Sequence, residues 1–290
     1  MIWHCALAFL LMARSALMFS QHLYLGTFVR PSALAFDRGH DELWVTDGGN
    51  GVVGVYRPDG AELYAFRATN WLRDPARIAV SPDGKRIAIV DGDHAHVRLF
   101  NYRGDYKGDA PLPKLETRPV VGAIAYDADG KLYVGENRSG QIFVYEGDKL
   151  KFQFGSHGTD DGQFQAICAI VVGPDGTIYV ADQRALAVQI FDNQGNFVRG
   201  WGRHEMGREH FSLPSGIALD SKGRILVTDE LRHQVKIFTA DGKFVDQFGG
   251  LGNEAGQLSF PTDIAVDGKD RIYVAERQTA RVQVFELVEH

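Results

Sequence analysis

The chain has 290 residues and a formal charge of −6, from 31 Lys and Arg against 37 Asp and Glu, with 44% hydrophobic residues; this is a foldable composition and excludes a disordered chain. Its 33 glycines are accompanied by only 10 prolines, which excludes collagen-like and low-complexity classes and implies many tight turns. An acidic balance gives no general attraction for phosphate backbones, so nucleic acid is not an expected partner.

Residues 1–20, MIWHCALAFLLMARSALMFS, open the chain with an apolar run from Ile2 to Ala13 and small residues at Ala13, Ser15 and Ala16 near a cut. The expectation is a signal peptide over 1–20, a folded part over 21–290, and a secreted or periplasmic location. No Lys or Arg precedes the run and Arg14 interrupts it, so the competing reading is a cytoplasmic chain started at Met12 or Met18. Arg14 also excludes a spanning helix of about 20 residues, and no other segment is suited to cross a bilayer. The two cysteines, Cys5 and Cys168, form no disulfide framework.

From residue 31 onward one unit is written six times, at 31–56, 75–100, 120–145, 166–191, 214–238 and 261–285. The matched residues Leu34, Ile78, Ile124, Ile170, Ile217 and Ile264 are separated by 44, 46, 46, 47 and 47 positions, the period of a four-stranded propeller blade. Each copy reads as an apolar first strand (Ile217-Ala218-Leu219), a turn such as Pro174-Asp175-Gly176, and a β-branched and aromatic second strand (Ile178-Tyr179-Val180). An alternating third strand (Val235-Lys236-Ile237-Phe238) follows, and an Asp-Gly turn then leads to a fourth. The predicted class is all-β: one six-bladed propeller of four-stranded antiparallel blades. Too few residues follow Phe285 to complete the sixth blade, so an N-terminal strand at 22–30, pairing with 282–287, is expected to close the ring.

The recurring Pro-x-x-Ile-Ala-Val-Asp, Gly-x-Ile-Tyr-Val-Ala-Asp/Glu and Gln-Val-Phe segments, with Phe154-Gly155, Gly158 and Gly162-Gln163-Phe164 between copies, resemble the NHL repeat over about residues 22–285. That resemblance implies a six-bladed propeller and not one function, since the fold serves lyases, hydrolases, RNA binders and scaffolds. Peptide-amidating lyases of this type place metal-binding His after the proline of the first strands. The matching positions here are Ser32, Ala76, Gly122, Cys168, Ser215 and Thr262, which supply no imidazole. Asp263 matches an acidic residue beside such a ligand, so the resemblance leaves it as a candidate for Ca²⁺ or Zn²⁺ at the channel. The ligand turn of gluconolactonase-type enzymes is replaced by Thr27-Phe28-Val29-Arg30-Pro31, and no residue stands out as the catalytic Glu of strictosidine-synthase-like propellers.

Residues repeated in every blade belong to blade geometry. The acids ending the second strands, Asp47, Asp91, Glu136, Asp182, Asp229 and Glu276, are expected to accept bonds from turning backbone or a neighbouring Arg. The glycine-rich linkers lack the strand-to-helix context and Gly-Lys-Ser/Thr ending of a phosphate loop. His204 and His210 are six apart in a linker, which excludes a zincin helix. Singular residues are the functional candidates: Trp71 between two Arg, Arg77 where other blades have small residues or Asp, the pair His94 and His96, and His204. Ser32, Cys168, Ser215, Thr262 and Asp263 are expected at the channel mouth. The resulting expectation is a monomeric, non-catalytic binding or scaffold propeller that takes a protein, peptide or small molecule on its linker face. The alternative is a metal-dependent lyase or hydrolase at the channel mouth.

Overall fold

In the computed structural model, which describes residues 16–23, 28–112, 114–202 and 207–288, the chain forms six four-stranded antiparallel sheets. The described residues contain no helix, and so none long and apolar enough to cross a membrane. The innermost strands are Pro31–Asp37, Pro75–Val80, Val121–Tyr126, Ile167–Val172, Pro214–Leu219 and Pro261–Val266. Second strands are fully buried, as in Leu132–Glu136 and Ile178–Asp182, because each is paired on both edges and covered on both faces. Outermost strands alternate, as in Phe244–Gly249, because one face meets water.

The core is divided into six apolar clusters, one at each seam between adjacent blades. At the seam that closes the ring, Leu34, Leu43, Val45 and Tyr56 of blade one pack against Ala265, Tyr273, Ala275, Val282 and Val284 of blade six. Burying an apolar side chain of this size stabilises by about 1.5–3 kcal/mol, so closure is held by packing as well as by strand pairing.

The repeated acids anchor the linkers. The carboxylate of Asp47 accepts the N–H groups of Val29 and Arg30, Asp91 those of Arg73 and Asp74, Asp182 those of Gln165 and Ala166, and Asp229 those of Ser212 and Leu213. Each acid thereby fixes the entry to its own blade's innermost strand. Just ahead of these donors, and of Ser259, whose N–H goes to Glu276, an apolar side chain is buried under the linker, as with Leu72, Phe164, Phe211 and Leu258.

The closing strand differs from the expected one. Ala16–Leu23, not 22–30, pairs antiparallel with Arg281–Val288, with Leu23 opposite Val282 and Ala16 opposite Val288. The reason is the linker rule: Val29 and Arg30 are held by Asp47, and Phe28 packs edge-on against Tyr56, so 28–30 does the work of a linker and the edge strand must precede it. The strand therefore begins within the segment expected to be a leader, and a cut beyond Ala16 would shorten it.

Candidate functional site

The innermost strands enclose a cavity of about 650 Å³. Its lining starts at a ring of Leu34, Arg77, Ala123, Cys168, Ile217 and Asp263 and extends to the turns after these strands, reaching Arg38, Pro82, Ala128, Pro174 and Ser221. Nothing nearer the linkers lines it. The cavity is thus a cup floored on the linker side and open on the opposite face, away from the face on which the sequence placed partner docking.

Two charged residues stand on the floor, in the blades flanking blade one. Arg77 donates from Nε to the Gly122 carbonyl (3.0 Å) and from Nη1 to that of Ala76 (3.1 Å), which fixes the guanidinium across the floor. Asp263 accepts the Leu34 N–H on Oδ2 and its neighbour Ile264 N–H on Oδ1, both at 2.9 Å. Gly216 leaves room for this carboxyl, since a Cβ there would lie 2.5 Å from Oδ1. Burial pushes the Asp263 carboxyl up to about 6, against the lowering effect of the two N–H donors and Arg77. Around this pair the walls are aliphatic: Leu34, Ile78, Ile124, Ile170, Ile217 and Ile264 all line the cup.

The expected channel-mouth residues have another task. Cys168 Sγ reaches the Pro214 carbonyl (3.3 Å), Ser215 Oγ donates to the Pro261 carbonyl (2.8 Å), and Thr262 Oγ1 to the Pro31 carbonyl (3.2 Å). Each side chain latches its strand to the proline that opens the next blade. Ser32 is turned back to the Arg30 carbonyl (3.0 Å). Cys168 and Ser215 are buried, and burial raises the Cys168 thiol far above its ordinary range, so it is no nucleophile. A channel cation does not fit this donor set. Both Asp263 oxygens already accept backbone donors, its neighbours on the ring are aliphatic, a protonated thiol or a guanidinium, and no further carboxylate joins it there.

The linker-face candidates do not share one patch. Trp71 stacks on Tyr106 of blade two's outermost strand, ring centroids 3.8 Å apart, and stays 41% exposed, whereas Arg77 is in the channel. His94 takes a left-handed conformation (φ 54°), and its Nδ1 lies 2.9 Å from the Val121 carbonyl, tying the loop to blade three. His96 Nδ1 instead lies 3.2 Å from Asp109, so the two imidazoles serve different partners. Tyr106 also donates to Asp109, which connects Trp71 to His96 along one blade edge, beside a second cavity of about 600 Å³ under the linker to blade three. His204 lies outside the described residues.

Fold and site define a closed six-bladed β-propeller with a one-sided channel cup. The family described as "DUF5128: 6-bladed beta-propeller" matches residues 217–290. No curated protein matches the chain. Similar solved structures include a streptogramin B lyase (TM-score 0.67, 12% identity, covering 94% of this chain and 97% of that one). The virginiamycin B lyase of Staphylococcus aureus is similar too (0.63, 14%, 94% and 99%), as is a protein of unknown function from Bacteroides thetaiotaomicron VPI-5482 (0.67, 16%, 91% and 71%). At these identities the likeness concerns the fold.

Proposed function

We propose that the protein is a non-catalytic binding propeller that seats a small amphipathic molecule in its channel cup, with an anionic end on Arg77 and an apolar body along the aliphatic wall. The observation that carries this reading is the one guanidinium on the floor of a 650 Å³ cavity whose walls are aliphatic up to a polar rim of Asp37, Arg38, Asp127 and Asp220, a common format for small-molecule sites. Above pH 6 the ionised Asp263 opposes an anion beside Arg77; below it the carboxyl is neutral, so an anionic ligand binds more tightly as pH falls through about 6. The blade-two edge around the exposed Trp71 is left for a second contact.

The test is calorimetric titration with a panel of medium-chain and aromatic carboxylates beside their uncharged amides. Carboxylates are expected to bind, amides to bind at least tenfold more weakly, and Arg77→Met to erase the difference. Equal binding of acid and amide, or no binding of either, would overturn the reading.

A second reading, a lyase or hydrolase working in the same cup, is favoured by one observation: a carboxyl poised near 6 is suited to proton transfer at neutral pH. Two of the similar structures are lyases by name. Recovery of a bound ligand in altered form, by wild type and not by Asp263→Asn, would favour this second reading.

For location we propose export, with the leader cut between Ser15 and Ala16. Ala13 and Ser15 are then the small residues ahead of the cut, and the closing strand that starts at Ala16 is left whole. Material recovered outside the cytoplasm should begin at Ala16, and a soluble cytoplasmic chain with intact Met1 would sink this placement.

A further inference from the structure

Blade one departs from blades three, five and six in the turn between its first two strands. In blades three, five and six this turn opens with an Asp whose Oδ1 accepts two backbone N–H groups and whose Oδ2 pairs with a cation just ahead of the second strand. Those pairs are Asp127 with Lys131 (3.3 Å), Asp220 with Arg224 (2.5 Å) and Asp267 with Arg271 (2.6 Å). Asp37 opens the blade-one turn in the same way, with Oδ1 accepting the N–H groups of Gly39 and His40. The second strand itself, however, opens with Glu42, directly opposite Asp37 in the strand register, where a cation would meet Asp37. The cation of those three blades is here exchanged for an acid.

Two carboxylates, 2% and 7% exposed, therefore share one turn, and among the described residues no Lys or Arg pairs with either. Buried charge of one sign is costly unless something opposite joins it. Among the described residues the one ion-pair partner is His40, 46% exposed at its side chain, with Nδ1 2.7 Å from Asp37 Oδ2. Glu42 is oriented from the neighbouring blade: Tyr102 donates to its carboxylate at 2.8 and 3.0 Å, and Tyr64 holds the Tyr102 carbonyl at 2.5 Å. The Tyr102 ring also packs 5.2 Å from the imidazole.

We infer that Asp37, His40 and Glu42 form a divalent-cation site at the rim of the cup, suited to Zn²⁺ or Mn²⁺. One donor atom from each lies within 4.8 Å of the others. Bonds of about 2.0–2.2 Å to one ion need ligand separations of roughly 3–4 Å, so the exposed imidazole would turn from its 2.7 Å contact with Asp37 to admit the ion. One imidazole with two carboxylates, completed by water, is a borderline donor set; Ca²⁺, which takes six to eight oxygens, is poorly served. The ion would supply the charge that Lys131, Arg224 and Arg271 supply elsewhere, while Tyr102 holds Glu42 from the outer side as hydrogen-bonded partners of metal ligands do.

The experiment uses tag-free, EDTA-dialysed full chain, titrated separately with ZnCl2, MnCl2 and CaCl2, with bound metal counted after equilibrium dialysis and thermal unfolding recorded alongside. Wild type is expected to take up one equivalent of Zn²⁺ or Mn²⁺ with a rise in Tm, and Ca²⁺ to bind at least tenfold more weakly. Glu42→Arg, which restores the cation of blades five and six, should lose that equivalent while its metal-free Tm equals or exceeds that of wild type. His40→Ala should weaken binding about tenfold or more, and, since it also strips Asp37 of its imidazole partner, should lower the metal-free Tm. Should Glu42→Arg fail to fold, Glu42→Gln, which keeps an acceptor for Tyr102, reads the same loss. No uptake by wild type, or uptake undiminished in these variants, would overturn the inference.

Discussion

Asp263→Asn removes one charge from the channel floor with almost no change of shape, and its effect on stability should change sign with pH. In the folded protein the Asp263 carboxyl keeps its proton up to about pH 6, whereas the unfolded chain releases it near the ordinary value of 3.8. Between these values the folded state binds more protons than the unfolded one, so stability falls as pH rises through the window and the full cost is present above it. A shift of about two units at 1.36 kcal/mol each sets an upper limit near 3 kcal/mol. The side chain retains some contact with channel water, which reduces this to about 2 kcal/mol. Against that, an asparagine offers one acceptor where Asp263 meets two N–H groups, from Leu34 and Ile264, and a lost bond costs about 1 kcal/mol. The variant should thus be about 1 kcal/mol more stable than wild type at pH 8 and about 1 kcal/mol less stable at pH 4. Urea unfolding midpoints at pH 4, 6 and 8 would show the crossing. A difference of the same size and sign at all three pH values would refute the assignment of a buried, proton-holding carboxyl at this position.

Three further outcomes follow from the structure. Deleting 16–23 should expose the edge of Arg281–Val288 and cause aggregation or loss of cooperative unfolding, seen by light scattering and calorimetry; an unchanged melting curve would count against closure by this strand. Cys168, buried and held at the Pro214 carbonyl, should resist iodoacetamide at pH 8 in the native protein and label fully in urea, as read by mass spectrometry of its peptide; native labelling at the denatured rate would contradict its placement. Lys236 is fully buried, 3.8 Å from Asp229 and over the Phe211 ring, and burial pushes its ammonium down to about 8. The folded state then binds fewer protons than the unfolded one between about pH 8 and 10.5, so wild-type stability should rise through that window and Lys236→Met should abolish the rise; equal pH profiles would exclude a strained ammonium.

How much of this was legible in the sequence depends on whether a feature is local or crosses a seam. The six blades were readable because each is the same local solution, with an alternating pattern, an Asp-Gly turn and an acid at the end of the second strand, repeated at steps of 44 to 47 residues. The need for an N-terminal closing strand followed from the same count of strands. Its register did not, because Val29 and Arg30 are claimed by Asp47 only once the chain has folded back on itself. Likewise, Cys168, Ser215 and Thr262 look alike in an alignment as small residues after a blade-opening position, but the carbonyl each one reaches belongs to the next blade. Trp71 and Arg77 are six positions apart in the chain, yet one stacks on an outermost strand and the other lies on the channel floor, because the linker of residues 67–74 carries the chain from the outermost strand in to the innermost one. The charge exchange at Glu42 was written in the sequence throughout. Only the folded turn, which sets it opposite Asp37 with His40 between solvent and the two acids, gave that letter a chemical meaning.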